Sequence, residues 1–226
     1  TDAFSPKRVE AAEPWKRGFD EGLFFVGGGG HYFPFRSKTS TPAGSKYFTI
    51  NGPDQQPETY KREANAFKTD ILTDAAIDFM KSRETKPWFL YLAYTAPHTP
   101  LHAKAKDIAA NSHISDPDRR IFAGMMTCLD HNIGRLLKHL ENQSVRENTL
   151  VVFLSDNGGP TSKNTSRNDP FSGMKGDVFE GGVRVPMIAS WPGTLAEGKV
   201  VSGPVISLDL LPTFAAVAGK QADHPL

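Results

Sequence analysis

Apolar residues recur every three to four positions in two stretches of the chain. Over Thr69–Arg83, Ile71, Leu72, Ala75, Ala76, Phe79 and Met80 share one face, which predicts an amphipathic helix ended by Pro87. Asp70, Asp74 and Asp78 then form its solvated side. Over Pro117–Leu140, Ile121, Met125, Leu129, Ile133, Leu136 and Leu140 repeat in the same way and predict a longer helix. Trp88–Tyr94, Leu150–Leu154 and Val185–Trp191 are short continuous apolar runs of strand length. Leu210–Ala218 reads as a short helix closed by Gly219. Thr1–Lys38 is rich in Gly, Pro and aromatic residues and reads as loop with short strands. Ser37–Lys61 is polar and Pro/Gly-rich, and reads as a surface excursion. Strands alternating with helices predict an α/β layer fold.

Composition narrows the picture only a little. The 226 residues are 38% hydrophobic and 23% charged, an ordinary globular balance that can bury one core. A formal net charge of +1 without a basic block offers no electrostatic reason to expect nucleic acid as a partner. One cysteine, Cys128, excludes an intramolecular disulfide. No apolar run reaches the roughly 18 residues a membrane-spanning helix needs. The run Gly27–Gly30 lacks the Lys-Ser/Thr ending of a phosphate loop, so it is not read as a nucleotide site.

Candidate chemistry begins where Leu150–Leu154 ends, in Ser155-Asp156-Asn157-Gly158-Gly159. A carboxylate and an amide oxygen stand side by side at the C-terminal end of a predicted strand, where α/β sheets place ligands. Such oxygens suit Ca²⁺ or Mg²⁺, which take about six or more, so other ligands must complete the set. A plain Asp-Asn-Gly turn is the competing reading. A second candidate is His98, held between Pro97 and Pro100 directly after the run Trp88–Tyr94.

Four strings follow one another in order: Asp156-Asn157-Gly158-Gly159, Gly173-x-Lys175-Gly176, Glu180-Gly181-Gly182-x-Arg184-Val185-Pro186 and Trp191-Pro192-Gly193. Together they closely resemble the formylglycine-dependent sulfatases of the alkaline phosphatase superfamily. Phe89-Leu90-Tyr91-Leu92-Ala93-Tyr94 with Ala96-Pro97-His98, the Arg17–Glu21 region and Ser207–Gly219 extend the resemblance from about Arg17 to Gly219. It implies a mixed, largely parallel sheet sandwiched by helices. It also implies hydrolysis of sulfate esters, of a sugar or polysaccharide or of an aryl sulfate, with a divalent cation held by Asp156 and Asn157 and the sulfate held by His98 and Lys175. The cation is Ca²⁺ by resemblance, with Mg²⁺ as the alternative. His31 and His102 are candidate substrate contacts. Glu180 and Arg184, four apart, are read as a structural ion pair. The position before Gly173 is basic in many family members and Ser172 here, which leaves that substrate contact open.

The family nucleophile lies in a Cys/Ser-x-Pro-x-Arg string, matured to formylglycine by a formylglycine-generating enzyme, ahead of all these segments. The one match here, Ser115-Asp116-Pro117-Asp118-Arg119, falls after the His98 segment. It also suits a helix start, with Ser115 or Asp116 as N-cap and Pro117 in the first turn. It is therefore read as a decoy, and residues 1–226 as one partial catalytic domain without its nucleophile segment or C-terminal subdomain. On that reading the chain alone is inactive. Family members are periplasmic, secreted or lysosomal; the residues themselves assign no location. A phosphate or phosphonate ester hydrolase of the same superfamily, and a non-catalytic glycan-binding homologue, remain the alternatives.

Overall fold

The computed structural model describes residues 14–25, 32–34, 47–51, 58–59, 63, 65–83 and 86–220. A 3-10 turn, Pro14–Arg17, leads into strand β1, Glu21–Phe25. Strands β2 (Tyr47–Asn51) and β3 (Glu58–Thr59) join it in an antiparallel sheet ordered β1-β2-β3, with Glu21 opposite Asn51 and Phe25 opposite Tyr47. The stretch expected as a polar excursion thus supplies two strands. Its Tyr47-Phe48-Thr49-Ile50 core is composed of β-formers, which the flanking Pro and Gly disguise in a compositional reading.

Helix α1, Lys68–Lys81, and helix α3, Pro117–Asn142, fall within two residues of their predicted ends and pack together. Helix α2, Ala105–Ala110, lies against α3. A Cβ added at Gly124 would stand 3.1 Å from the Ala103 Cβ and 3.2 Å from the Asp107 carbonyl carbon, so a larger residue there would press α2 and α3 apart by a few tenths of an ångström. Ile71, Leu72, Ala76 and Met80 are buried from α1, and Met125, Cys128, Leu129 and Leu140 from α3. Tyr32 and Phe67 close a fully buried cluster with Met125 and Cys128. Asp116, not Ser115, caps α3: its Oδ1 accepts from the Arg119 N–H at 2.7 Å, with Pro117 in the first turn.

The face of α1 read as solvated is not all solvated. Asp70 accepts from Lys104 Nζ at 2.7 and 2.9 Å and from Asn132 Nδ2 at 2.8 Å. Asp74 accepts from Arg135 at 2.6 Å, and Asp78 remains exposed. Every fourth residue of a helix falls on one side, but how far along that side a neighbour reaches is set by packing. Here α3 and Lys104 cover the first turns of α1 and leave the last one open.

Strands β4 (Val151–Leu154) and β5 (Met187–Ser190) form an antiparallel ladder, with Val151 opposite Ser190 and Leu154 opposite Met187. Between them lie two single-turn helices, α4 (Thr161–Asn164) and α5 (Glu180–Val183). Trp88–Tyr94, expected as a strand, pairs with no strand among the described residues, and Phe89 and Tyr91 are 54% and 73% exposed. Both sheets among the described residues are antiparallel. Parallel neighbours arrive only through long crossovers, so an apolar run can carry strand composition without a local partner. Residues 192–220 belong to a separate compact unit. In it helix α6, Leu210–Val217, ends at Gly219, which has φ +73°. No helix among the described residues is long and apolar enough to cross a membrane.

Candidate functional site

Strand β4 delivers Ser155–Gly159 as a tight turn against α5. The Ser155 N–H donates to Pro186 O at 3.2 Å, which carries the β4–β5 pairing one residue further. The Gly158 N–H donates to Gly182 O at 2.9 Å. A Cβ on Gly158 would stand 1.8 Å from Gly181 O, so only glycine lets these two backbones meet. The segment Gly173–Asp177 is a second turn beside the first. Gly173 and Gly176 both have φ +94°, in the region that favours glycine, and they bracket Met174-Lys175. The Asp177 carboxylate accepts from the Met174 N–H at 2.9 Å and closes the turn.

The two turns are tied together. The Lys175 N–H donates to Gly159 O at 3.5 Å, and the Gly181 N–H donates to Ser172 O at 2.8 Å. Asn168 bridges both: its Oδ1 accepts from the Gly159 N–H at 3.0 Å, and its Nδ2 donates to Gly159 O at 2.9 Å and Gly173 O at 3.0 Å. Asp156 and Lys175 therefore belong to one hydrogen-bonded assembly through their backbones. Both side chains are exposed, and neither has an ionic or hydrogen-bond partner among the described residues. Asn157 donates its Nδ2 to Gly158 O at 3.0 Å, which leaves its Oδ1 as an acceptor. A carboxylate and an amide oxygen on consecutive residues are hard donors that fit Ca²⁺ or Mg²⁺, as part of a set that needs more oxygens. No three His, Cys, Asp or Glu side chains among the described residues converge as a metal cluster.

His98 sits on a different loop, held from below. The Tyr32 hydroxyl, in a side chain that is fully buried, lies 2.7 Å from Thr95 O and 3.0 Å from His98 O, within reach of both carbonyls. Tyr32 in turn stacks on Phe67 at 5.5 Å and lies beneath the Lys68 ammonium at 5.3 Å. Burial raises the Tyr32 phenol far above its ordinary pKa, so it stays a neutral donor. The imidazole of His98 is exposed, and its Nδ1 lies 2.6 Å from Thr99 O. A carbonyl can only accept, so the proton is on Nδ1, and Nε2 carries one only in the imidazolium. No hydrogen bond among the described residues joins His98 to Asp156, Asn157 or Lys175.

His102 is half-buried, its ring edge-on to Tyr32 at 6.4 Å. His31 lies outside the described residues. The Glu180–Arg184 pair forms at 3.0 Å, and the Arg184 guanidinium also covers the Phe171 ring at 4.4 Å. Burial pushes the Cys128 thiol up to about 11, so it is not a nucleophile at neutral pH. Tyr32 and Asn168 were not singled out from the sequence. A tyrosine in an aromatic loop and an asparagine in a turn-rich segment carry no signal of their own until a fold sets carbonyls around them.

The Sulfatase family model matches residues 18–220, and the chain belongs to that family. It is 30% identical over 213 residues to N-acetylgalactosamine-6-sulfatase of Mus musculus, a match covering 91% of this chain and 39% of that protein. It is 34% identical over 175 residues to a sulfatase of Formosa agariphila, covering 70% of this chain and 31% of that one. Among solved structures, Ps i-CgsB in complex with k-i-k-neocarrahexaose superposes with a TM-score of 0.78 at 38% identity, over 99% of this chain and 49% of the other. The α/β class of the sulfatases is thus that of this chain, which spans less than half the length of these relatives.

Proposed function

We propose that the protein to which this chain belongs hydrolyses sulfate esters of a sugar, with Asp156 and Asn157 holding a divalent cation and with Lys175 and His98 holding the sulfate. One observation carries the reading. The Asp156–Gly159 turn and the Gly173–Asp177 turn are hydrogen-bonded into one assembly that leaves the Asp156 carboxylate and the Lys175 ammonium exposed and without a partner among the described residues. A carboxylate on one of two linked turns and an ammonium on the other suit a ligand with a metal at one end and an anion at the other. The sugar is supported by the kinship to a protein named for N-acetylgalactosamine-6-sulfate chemistry and by the neighbour solved with a neocarrahexaose.

Lys175 offers three donors to the sulfate oxygens and offsets charge that grows there during cleavage. His98 contributes only as imidazolium, since its Nδ1 proton is committed to Thr99 O. In that form Nε2–H donates to a sulfate oxygen or protonates the leaving alkoxide. The cation, when bound, withdraws electron density from a sulfate oxygen. A formylglycine would supply the attacking group; the Asp116 cap uses Ser115–Arg119 as a helix start instead.

The test uses the complete protein, co-expressed with a formylglycine-generating enzyme and assayed on an aryl sulfate with Ca²⁺. Lys175→Ala and His98→Ala each lower kcat about 100-fold or more, the scale of removing one preorganised donor. Chelation abolishes turnover, and Asp156→Ala raises the Ca²⁺ needed to restore it. Unchanged turnover in the Lys175 and Asp156 variants would sink the reading.

A further inference from the structure

We propose that Asn168 is a positioning residue that sets the interval between the cation-holding turn and Lys175. The proposal rests on the function proposed above. Asn168 presents two donors and one acceptor to three backbone groups: Gly159 N–H, Gly159 O and Gly173 O, at 3.0, 2.9 and 3.0 Å. Only one orientation of the amide satisfies all three, because a flipped amide would set donor against donor and acceptor against acceptor.

The location gives this bridge its meaning. Gly159 ends the turn that carries Asp156 and Asn157, and Gly173 lies two residues before Lys175. The remaining links between the two turns run from backbone to backbone, directly or through α5. Asn168 is the side chain that grips both turns among the described residues. Space enforces the grip as well. A Cβ on Gly159 would stand 2.2 Å from Ser166 Oγ and 3.3 Å from Asn168 Oδ1, so the 166–168 segment is pressed onto the turn.

Asp156 and Lys175 have no partners of their own among the described residues, so their separation is inherited from the backbone. A sulfate that must touch both a cation and an ammonium is sensitive to that separation. Misplacement by about 1 Å can cost on the order of 100-fold in rate. Asn168 touches neither the cation nor the sulfate in this scheme and acts through Gly159 and Gly173.

The test is a double-mutant cycle in the complete, formylglycine-bearing protein, with para-nitrophenyl sulfate as substrate. Asn168→Ala is expected to lower kcat/KM by about 10- to 100-fold. In a Lys175→Ala background the same substitution is expected to cost less than about 3-fold, since the group it positions is gone. A residue that merely supports the fold would cost the same in both backgrounds, and equal costs overturn the proposal while leaving Lys175's role intact. A silent Asn168→Ala overturns it too. A silent Lys175→Ala overturns the underlying function and the proposal with it. Should Asn168→Ala fail to fold, Asn168→Asp, which keeps the shape but removes both donors, completes the cycle. Failure of both variants to fold makes the role structural and also overturns the proposal.

Discussion

The hydroxyl of buried Tyr32 lies 3.0 Å from the backbone carbonyl of His98, 66 positions away in sequence, and 2.7 Å from that of Thr95. One phenol thus serves both ends of the loop that carries a candidate sulfate ligand. Tyr32→Phe keeps the ring and its stacking on Phe67 while leaving two carbonyls without that donor. The expected loss is about 1–2 kcal/mol, read as a lower midpoint of thermal or denaturant unfolding. If His98 binds sulfate, kcat/KM falls as well, and a variant with wild-type stability and turnover would remove Tyr32 from the account.

Two glycines should respond in opposite directions to alanine. At Gly158 the new Cβ would collide with Gly181 O at 1.8 Å, so Gly158→Ala is expected to cost about 1–3 kcal/mol and to weaken Ca²⁺ binding. At Gly134, exposed in the middle of α3, nothing lies within 4 Å of an added Cβ. Gly134→Ala should therefore stabilise by up to about 1 kcal/mol through helix propensity. Unfolding curves and a calcium titration on the two variants check both signs.

The helix start at Asp116 separates a cap from a nucleophile. Asp116→Ala removes the acceptor for the Arg119 N–H and is expected to cost about 1 kcal/mol, with little change in turnover. Ser115→Ala should alter neither, because the Ser115 side chain is exposed and makes no hydrogen bond among the described residues. Loss of activity in Ser115→Ala alone would make that serine the nucleophile after all.

Acid stability should depend on Asp70. Burial by itself would raise its carboxyl, but hydrogen bonds from Lys104 and Asn132 and the charges of Lys104 and Arg135 outweigh it and hold the pKa below its ordinary value. The unfolded chain protonates Asp70 near pH 4, so below that the unfolded state binds more protons and stability rises with pH. The contribution is present above pH 4 and is lost as pH falls through the folded-state pKa. Asp70→Asn should be less stable than the parent at neutral pH, with the gap narrowing below about pH 4. A gap that stays constant across that range would show that the ion pair does not couple folding to protonation.

The sequence by itself determined α1, α3, β4 and the turn at Asp156, because each rests on local physics. Helical periodicity, a capping carboxylate, a β-branched run and paired glycines act within a few residues of themselves. The strings around Asp156, Lys175 and Glu180 also sufficed for the family. Tertiary structure alone decided the rest. Whether Trp88–Tyr94 is a strand depends on partners its own composition does not contain. Whether Asp70 meets water or Lys104 depends on how far α3 and the segment that leads into α2 reach along α1. Tyr32 gained its role only when folding brought carbonyls 63 and 66 positions away to its hydroxyl, and Asn168 only when two turns folded around its one amide. A hydrogen bond fixes distance and direction in space, and neither is written in the spacing of residues along a chain.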